Sequence, residues 1–184
     1  MYTGSNPSAL RSQRLIADAL ISLLEEGRPF VEISATELCR RAGVSRQTFY
    51  KMFGTLENVV RYVMRTRCEW FEALVMKRAQ FTYEELVEAA ILFFDSQRSL
   101  AEALVSNNLQ ALVQEQMQLS LDVMLLHYRC EAPLVMDDLN RSFLAGGLCS
   151  MLLTRMRNGD ELSVKDRARR FSDLVTISSF ARIA

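Results

Sequence analysis

Ser-Ala-Thr-Glu-Leu-Cys-Arg-Arg-Ala-Gly-Val-Ser-Arg-Gln-Thr-Phe-Tyr-Lys-Met-Phe, residues 34–53, reads as two short helices, each opened by its own hydroxyl cap. Ser34 is placed to accept from the amide of Glu37 while the Glu37 side chain reaches back, a capping box. Leu38 and Cys39 then fall on an inward face, with Arg40 and Arg41 outward. Ala42-Gly43-Val44 breaks the pattern. Gly43 permits a positive φ at a helix end, and Val44 returns an apolar side chain to the core. Ser45 caps a second helix, with Thr48 three residues on. Phe49 and Phe53 lie one turn apart on one face, leaving Arg46, Gln47, Tyr50 and Lys51 to the others. A helix, a glycine turn, and a second helix with early polar and basic groups form a helix-turn-helix pattern. The same features also suit two packed helices with solvated arginines, so spacing alone leaves both readings open.

Outward from this stretch, residues 1–9 lack periodicity and are expected as a disordered N-terminal arm. A helix is expected over Leu10–Glu26, with Leu15, Ile16, Ala19, Leu20, Leu23 and Leu24 as one apolar stripe and Gly27 as its stop. Arg11 and Arg14 near its start oppose the helix dipole, which suits either a phosphate or plain solvation. Pro29 bars helix in the connector 28–33, with Phe30 and Ile33 tucked into the core. Gly54-Thr55 ends the second short helix and caps the next. From Leu56 the apolar positions Val59, Val60, Val63, Met64, Trp70, Phe71, Leu74 and Val75 continue one helical pattern to about Gln80.

The string from Ala42 to Phe53 closely resembles the DNA-binding domain of the TetR (tetracycline-repressor-like) family of bacterial regulators. The resemblance runs from about Arg11 to Val63 and fades beyond it. It implies a helix-turn-helix DNA-binding domain over 10–55 and a helical ligand-binding and dimerisation domain over 56–184. The implied partner is a double-stranded DNA operator, palindromic and bound by a homodimer. The DNA-contacting set is expected to be Ser34, Thr36, Ser45, Arg46, Gln47, Thr48, Tyr50, Lys51 and Thr55. One departure stands out: Leu56 occupies the place of a usual phosphate-contacting lysine, leaving Thr55 and the free amides of that helix's first turn to hold a phosphate.

Composition agrees with an all-α chain. Its 184 residues include only 7 Gly and 3 Pro against 49% apolar residues. Net charge is zero, but residues 34–67 hold seven Lys/Arg against two acids, while 82–138 hold ten acids against two Arg. A basic head on an acidic body orients a DNA partner towards one end. Neither a signal peptide nor an 18-residue apolar run is present, so a cytoplasmic protein without a membrane partner is expected. The four cysteines lack metal-type spacing; Cys39 and Cys149 fall at packing positions.

The body divides at its caps into helices expected near Thr82–Asp95, Arg98–Val105, Leu109–Tyr128, Leu134–Arg157 and Ser163–Phe180. Catalysis finds no constellation here. His127 is the only histidine, so no enzyme, metal site or cofactor is expected. A small apolar effector is expected beside Trp70, Phe71, Met117, Met124, Phe143 and Met151, with His127 as its polar handle and no carboxylate inward. The alternative is the same fold without an effector, controlled by a protein partner or constitutive. Gly146 and Gly147 each cost a helix about 1 kcal/mol relative to alanine, so a close helix approach must offset them. Residues 157–163 resemble a stretch of one TetR subgroup in which the last two helices pair with their copies. That resemblance implies a dimer interface through Phe143, Gly146, Gly147 and Ser150, although close packing within one chain explains the glycines equally.

Overall fold

Nine α-helices and one 3-10 turn make up the regular structure among the described residues of the computed structural model, 6–77, 82–127, 138–158 and 162–180. The helices are α1 (Pro7–Glu25), α2 (Ala35–Ala42), α3 (Arg46–Met52), α4 (Leu56–Val75) and α5 (Tyr83–Ser96). They continue as α6 (Arg98–Ser106), α7 (Gln110–His127), α8 (Asp138–Asn158) and α9 (Val164–Phe180). The 3-10 turn spans Phe30–Glu32. The fold is all-α.

The first of two compact units runs to Thr66 and takes in Ser99–Val113. This differs from the expected boundary after Thr55. Within it α1, α2 and α3 pack on one another, burying Ile16, Leu20, Leu23 and Leu24 with Leu38, Phe49 and Phe53. Helix α1 starts earlier than expected, at Pro7 rather than Leu10. Pro7 starts α1 because its missing N–H is no loss there, and Asn6 caps it by accepting from the Ser8 amide at 3.0 Å. Leu15 lies outside the stripe, with Ala17 and Gln13 buried in its stead. Asn107, after α6, accepts from the Phe30 amide at 2.6 Å and donates to the Ala103 carbonyl at 2.8 Å. That clamp fixes the Pro29 connector to a segment 77 residues away.

The second unit comprises Arg67–Arg98 and the residues from Gln114 onward. Here α5 packs on α9 and α8, and Arg155 of α8 pairs with Asp95 of α5. Thr82 opens α5 as expected, and with Glu85 it forms a capping box: Thr82 Oγ1 accepts from the Glu85 amide and Glu85 from the Thr82 amide. Helix α4 stops at Val75, short of Gln80. Its apolar stripe also divides: Phe71 and Val75 are buried while Trp70 and Leu74 face water. The expected start of α8 at Leu134 lies outside the described residues. No described helix is long and apolar enough to cross a membrane.

Candidate nucleic-acid interface

Local caps set the interface. Ser45 Oγ accepts from the Thr48 amide at 3.1 Å and lies 2.8 Å from the Thr48 hydroxyl, fixing the first turn of α3. Gly43 sits at φ 65°, where a side chain is strained, and the Val44 amide donates to the Cys39 carbonyl at 3.0 Å. This turn sends α3 off α2 with Phe49 and Met52 inward. Arg46, Gln47, Tyr50 and Lys51 are all exposed. The Arg46 guanidinium lies 5.9 Å from the Tyr50 ring centroid, and Tyr50 meets Phe49 edge-on at 5.2 Å. A cation one turn from an aromatic is thus pre-positioned on the outer face.

The flanking residues complete this surface. Ser34 and Thr36 are exposed at the start of α2. Ser34 Oγ accepts from the Glu37 amide at 3.1 Å, but the capping box is only half formed. Arg28 draws the Glu37 carboxylate away at 3.5 Å. Thr55 is exposed and accepts from the Asn58 amide at 3.3 Å, capping α4. Leu56 is half-buried and supplies no cation. Arg40 is exposed; Arg41 is engaged with Glu26 and Ser22. That guanidinium holds the Glu26 carboxyl below its ordinary 4.5. Among the basic residues of 34–67, Arg40, Arg46 and Lys51 are exposed.

The expected effector set does not assemble around one cavity. Trp70 and Phe71 line a cleft of about 550 Å³ between α4 and α5, together with Glu85, Glu88, Leu92 and Phe93. Phe143 and Met151 line a second of about 460 Å³ between α8 and α9, with Arg167, Phe171 and Leu174. Met117 is buried and lines neither. The side chains of Met124 and His127 lie outside the described residues. Two glutamates, Glu85 and Glu88, therefore line the first cleft, where no carboxylate was expected. The α5 residues involved recur at 85, 88, 89, 92, 93 and 96, the spacing of one helical face, so the signal was present in the sequence.

Neighbouring side chains of the same chain leave room at both glycines of α8. A Cβ on Gly147 would meet the Phe171 ring at 3.4 Å, and one on Gly146 would lie 4.0 Å from Gln118 Nε2. Phe143 and Ser150 are exposed on α8. Leu139 on the same helix and Leu174 on α9 add apolar surface at 71% and 66% exposure. Sequence reasoning missed both, since an exposed leucine reads as a core residue. Among the described residues no group of three or more His, Cys, Asp or Glu is arranged to hold a metal.

No family model matches the chain, and no curated protein matches it by sequence. Its fold is nevertheless shared. Lin0861 from Listeria innocua superposes with a TM-score of 0.77 at 14% identity, over 96% of each chain. The TetR-family repressor AlkX from Dietzia sp., implicated in biodegradation of n-alkanes, gives 0.59 at 19% identity over 90% of this chain and 94% of its own. A TetR transcriptional regulator from Rhodococcus sp. RHA1 gives 0.62 at 17% identity, over 90% and 96%. The chain has the fold of TetR-family transcriptional regulators.

Proposed function

We propose that the protein is a sequence-specific DNA-binding transcriptional regulator of the TetR type. It acts as a repressor, binds a palindromic operator as a homodimer, and is released by a small effector held in its body. The observation that carries this reading is α3, capped and turned outward with Arg46, Gln47, Tyr50 and Lys51 on its exposed faces. Such a helix enters the major groove with its first residues on base edges. Arg46 and Gln47 read bases, Arg46 preferring guanine. Thr48, Tyr50 and Lys51 hold phosphates, as do Ser34, Thr36 and Thr55 at the opening turns of α2 and α4. The exposed apolar residues Leu139, Phe143 and Leu174 supply the dimer interface, with Ser150 at its rim.

Binding selection from random DNA, followed by a mobility shift against sheared competitor, tests this reading. Enrichment of one sequence with two half-sites is expected, with centres about 34–36 Å or a multiple apart. Binding no tighter than to the competitor would overturn it. Effector release has a separate readout. A true effector at a hundred times its Kd stabilises the protein by about 2.7 kcal/mol and abolishes the shift.

A further inference from the structure

We propose that the cleft between α4 and α5 binds a lipophilic organic cation. Its floor is aromatic: Phe71 and Phe93 stack with centroids 4.6 Å apart and planes 13° apart, and Trp70 lies 6.3 Å from Phe93. Trp70 is 62% exposed and Leu92 56%, so a broad apolar surface stands open to water. Aromatic faces of this kind attract cations, indole most strongly. Among the described lining residues the charge has one sign. Glu85 and Glu88 border the cleft, and no Lys or Arg is among its described lining residues. The Thr82 amide holds the Glu85 carboxylate in place at 2.8 Å, and Glu88 sits three residues on along the same helical face.

These features select among occupants. An anion meets the Glu88 carboxylate beside the aromatic floor, and a neutral apolar molecule covers that carboxylate without compensating it. A cation with aromatic or alkyl substituents satisfies both the charge and the apolar floor. The volume, about 550 Å³, is in the range of sites for drug-sized ligands. The neutral effector expected from the sequence gives way to a cationic one because helical spacing brings both glutamates to the cleft. This inference rests on reading the second unit as an effector body. Its test contains no DNA, so its failure is separate from a failure of operator binding.

Trp70 is the only tryptophan in the chain, so emission excited selectively at the red edge of indole absorption, where the tyrosines do not absorb, reports on this cleft alone. Tetraphenylphosphonium and tetraphenylborate, alike in shape and opposite in charge, are titrated separately into the DNA-free protein, with calorimetry in parallel. A saturable change in Trp70 emission is expected with the phosphonium and none with the borate. Glu88→Gln is expected to weaken phosphonium binding at least tenfold at an unchanged melting temperature. Should that variant fold poorly, Leu92→Lys, at an exposed position, places a cation in the cleft and is expected to abolish binding. Equal binding of the borate, no saturable response to the phosphonium, or wild-type affinity in both variants would overturn the proposal.

Discussion

Arg46 and Lys51 stand five residues apart on α3, and their chemistry separates them. A guanidinium presents paired donors to one guanine edge, whereas an ammonium is a point charge suited to any phosphate. Arg46→Ala is expected to relax sequence preference at a cost of about 1–3 kcal/mol. Lys51→Ala is expected to weaken all sequences alike and reduce the salt slope by about one. Identical selectivity profiles for the two variants in a binding selection would refute this division. The thiols make a second prediction at this scale. Burial pushes Cys68 up to about 11 and Cys149 to about 12 from 9.0. The folded protein keeps protons that the unfolded chain releases, so each thiol's contribution is complete below pH 9.0 and is lost as pH rises towards the folded value. Wild type is expected to lose about 1.4 kcal/mol more per pH unit above 9 than Cys149→Ala, measured by urea unfolding across alkaline buffers. Parallel slopes would contradict it.

At the scale of the element, Gly147 and Asn107 make contrasting cases. Alanine at Gly147 places its Cβ 3.4 Å from Phe171, an ordinary contact, and recovers up to about 1 kcal/mol of helix propensity. Leucine there overpacks against the same ring and is expected to cost about 1–3 kcal/mol. Thermal melts of the two variants check the opposite signs. Asn107→Ala removes the acceptor of the Phe30 amide and is expected to destabilise the first unit by about 1–3 kcal/mol, with amide exchange fastest at residues 30–33. The contrast also marks what a sequence discloses about elements. Caps at Ser45, Thr55 and Thr82 were legible because donor and acceptor lie within one turn. The Asn107 clamp was not, since 77 residues separate the partners and no local pattern joins them. Glu37 shows the limit within a motif: its cap partner was three residues away, yet Arg28 of the connector captured its carboxylate. On α4, periodicity identified the apolar residues, but which half faced solvent depended on the width of the buried stripe. Trp70 and Leu74 were therefore placed inward when they form a cleft. The α3 surface was legible in full because its polarity is written in seven consecutive residues.

For the molecule as a whole, the exposed leucines and phenylalanine of α8 and α9 predict self-association. Sedimentation at micromolar concentration is expected to show a dimer for wild type and a monomer for Phe143→Glu combined with Leu174→Glu, without loss of helicity. A wild-type monomer would remove the two-half-site operator along with the interface. The architecture has one more consequence, which concerns synthesis. The unit that carries α3 is assembled from two stretches of chain, ending at Thr66 and Val113, with the second body unit's first segment between them. A ribosome has therefore made most of the chain before the connector at Phe30 meets Asn107. Products terminated before Asn107, even those containing every residue of α1, α2 and α3, lack that support and are expected to be cleared by proteolysis. Under the regulator reading, an operator would thus meet finished protein and seldom the debris of interrupted translation.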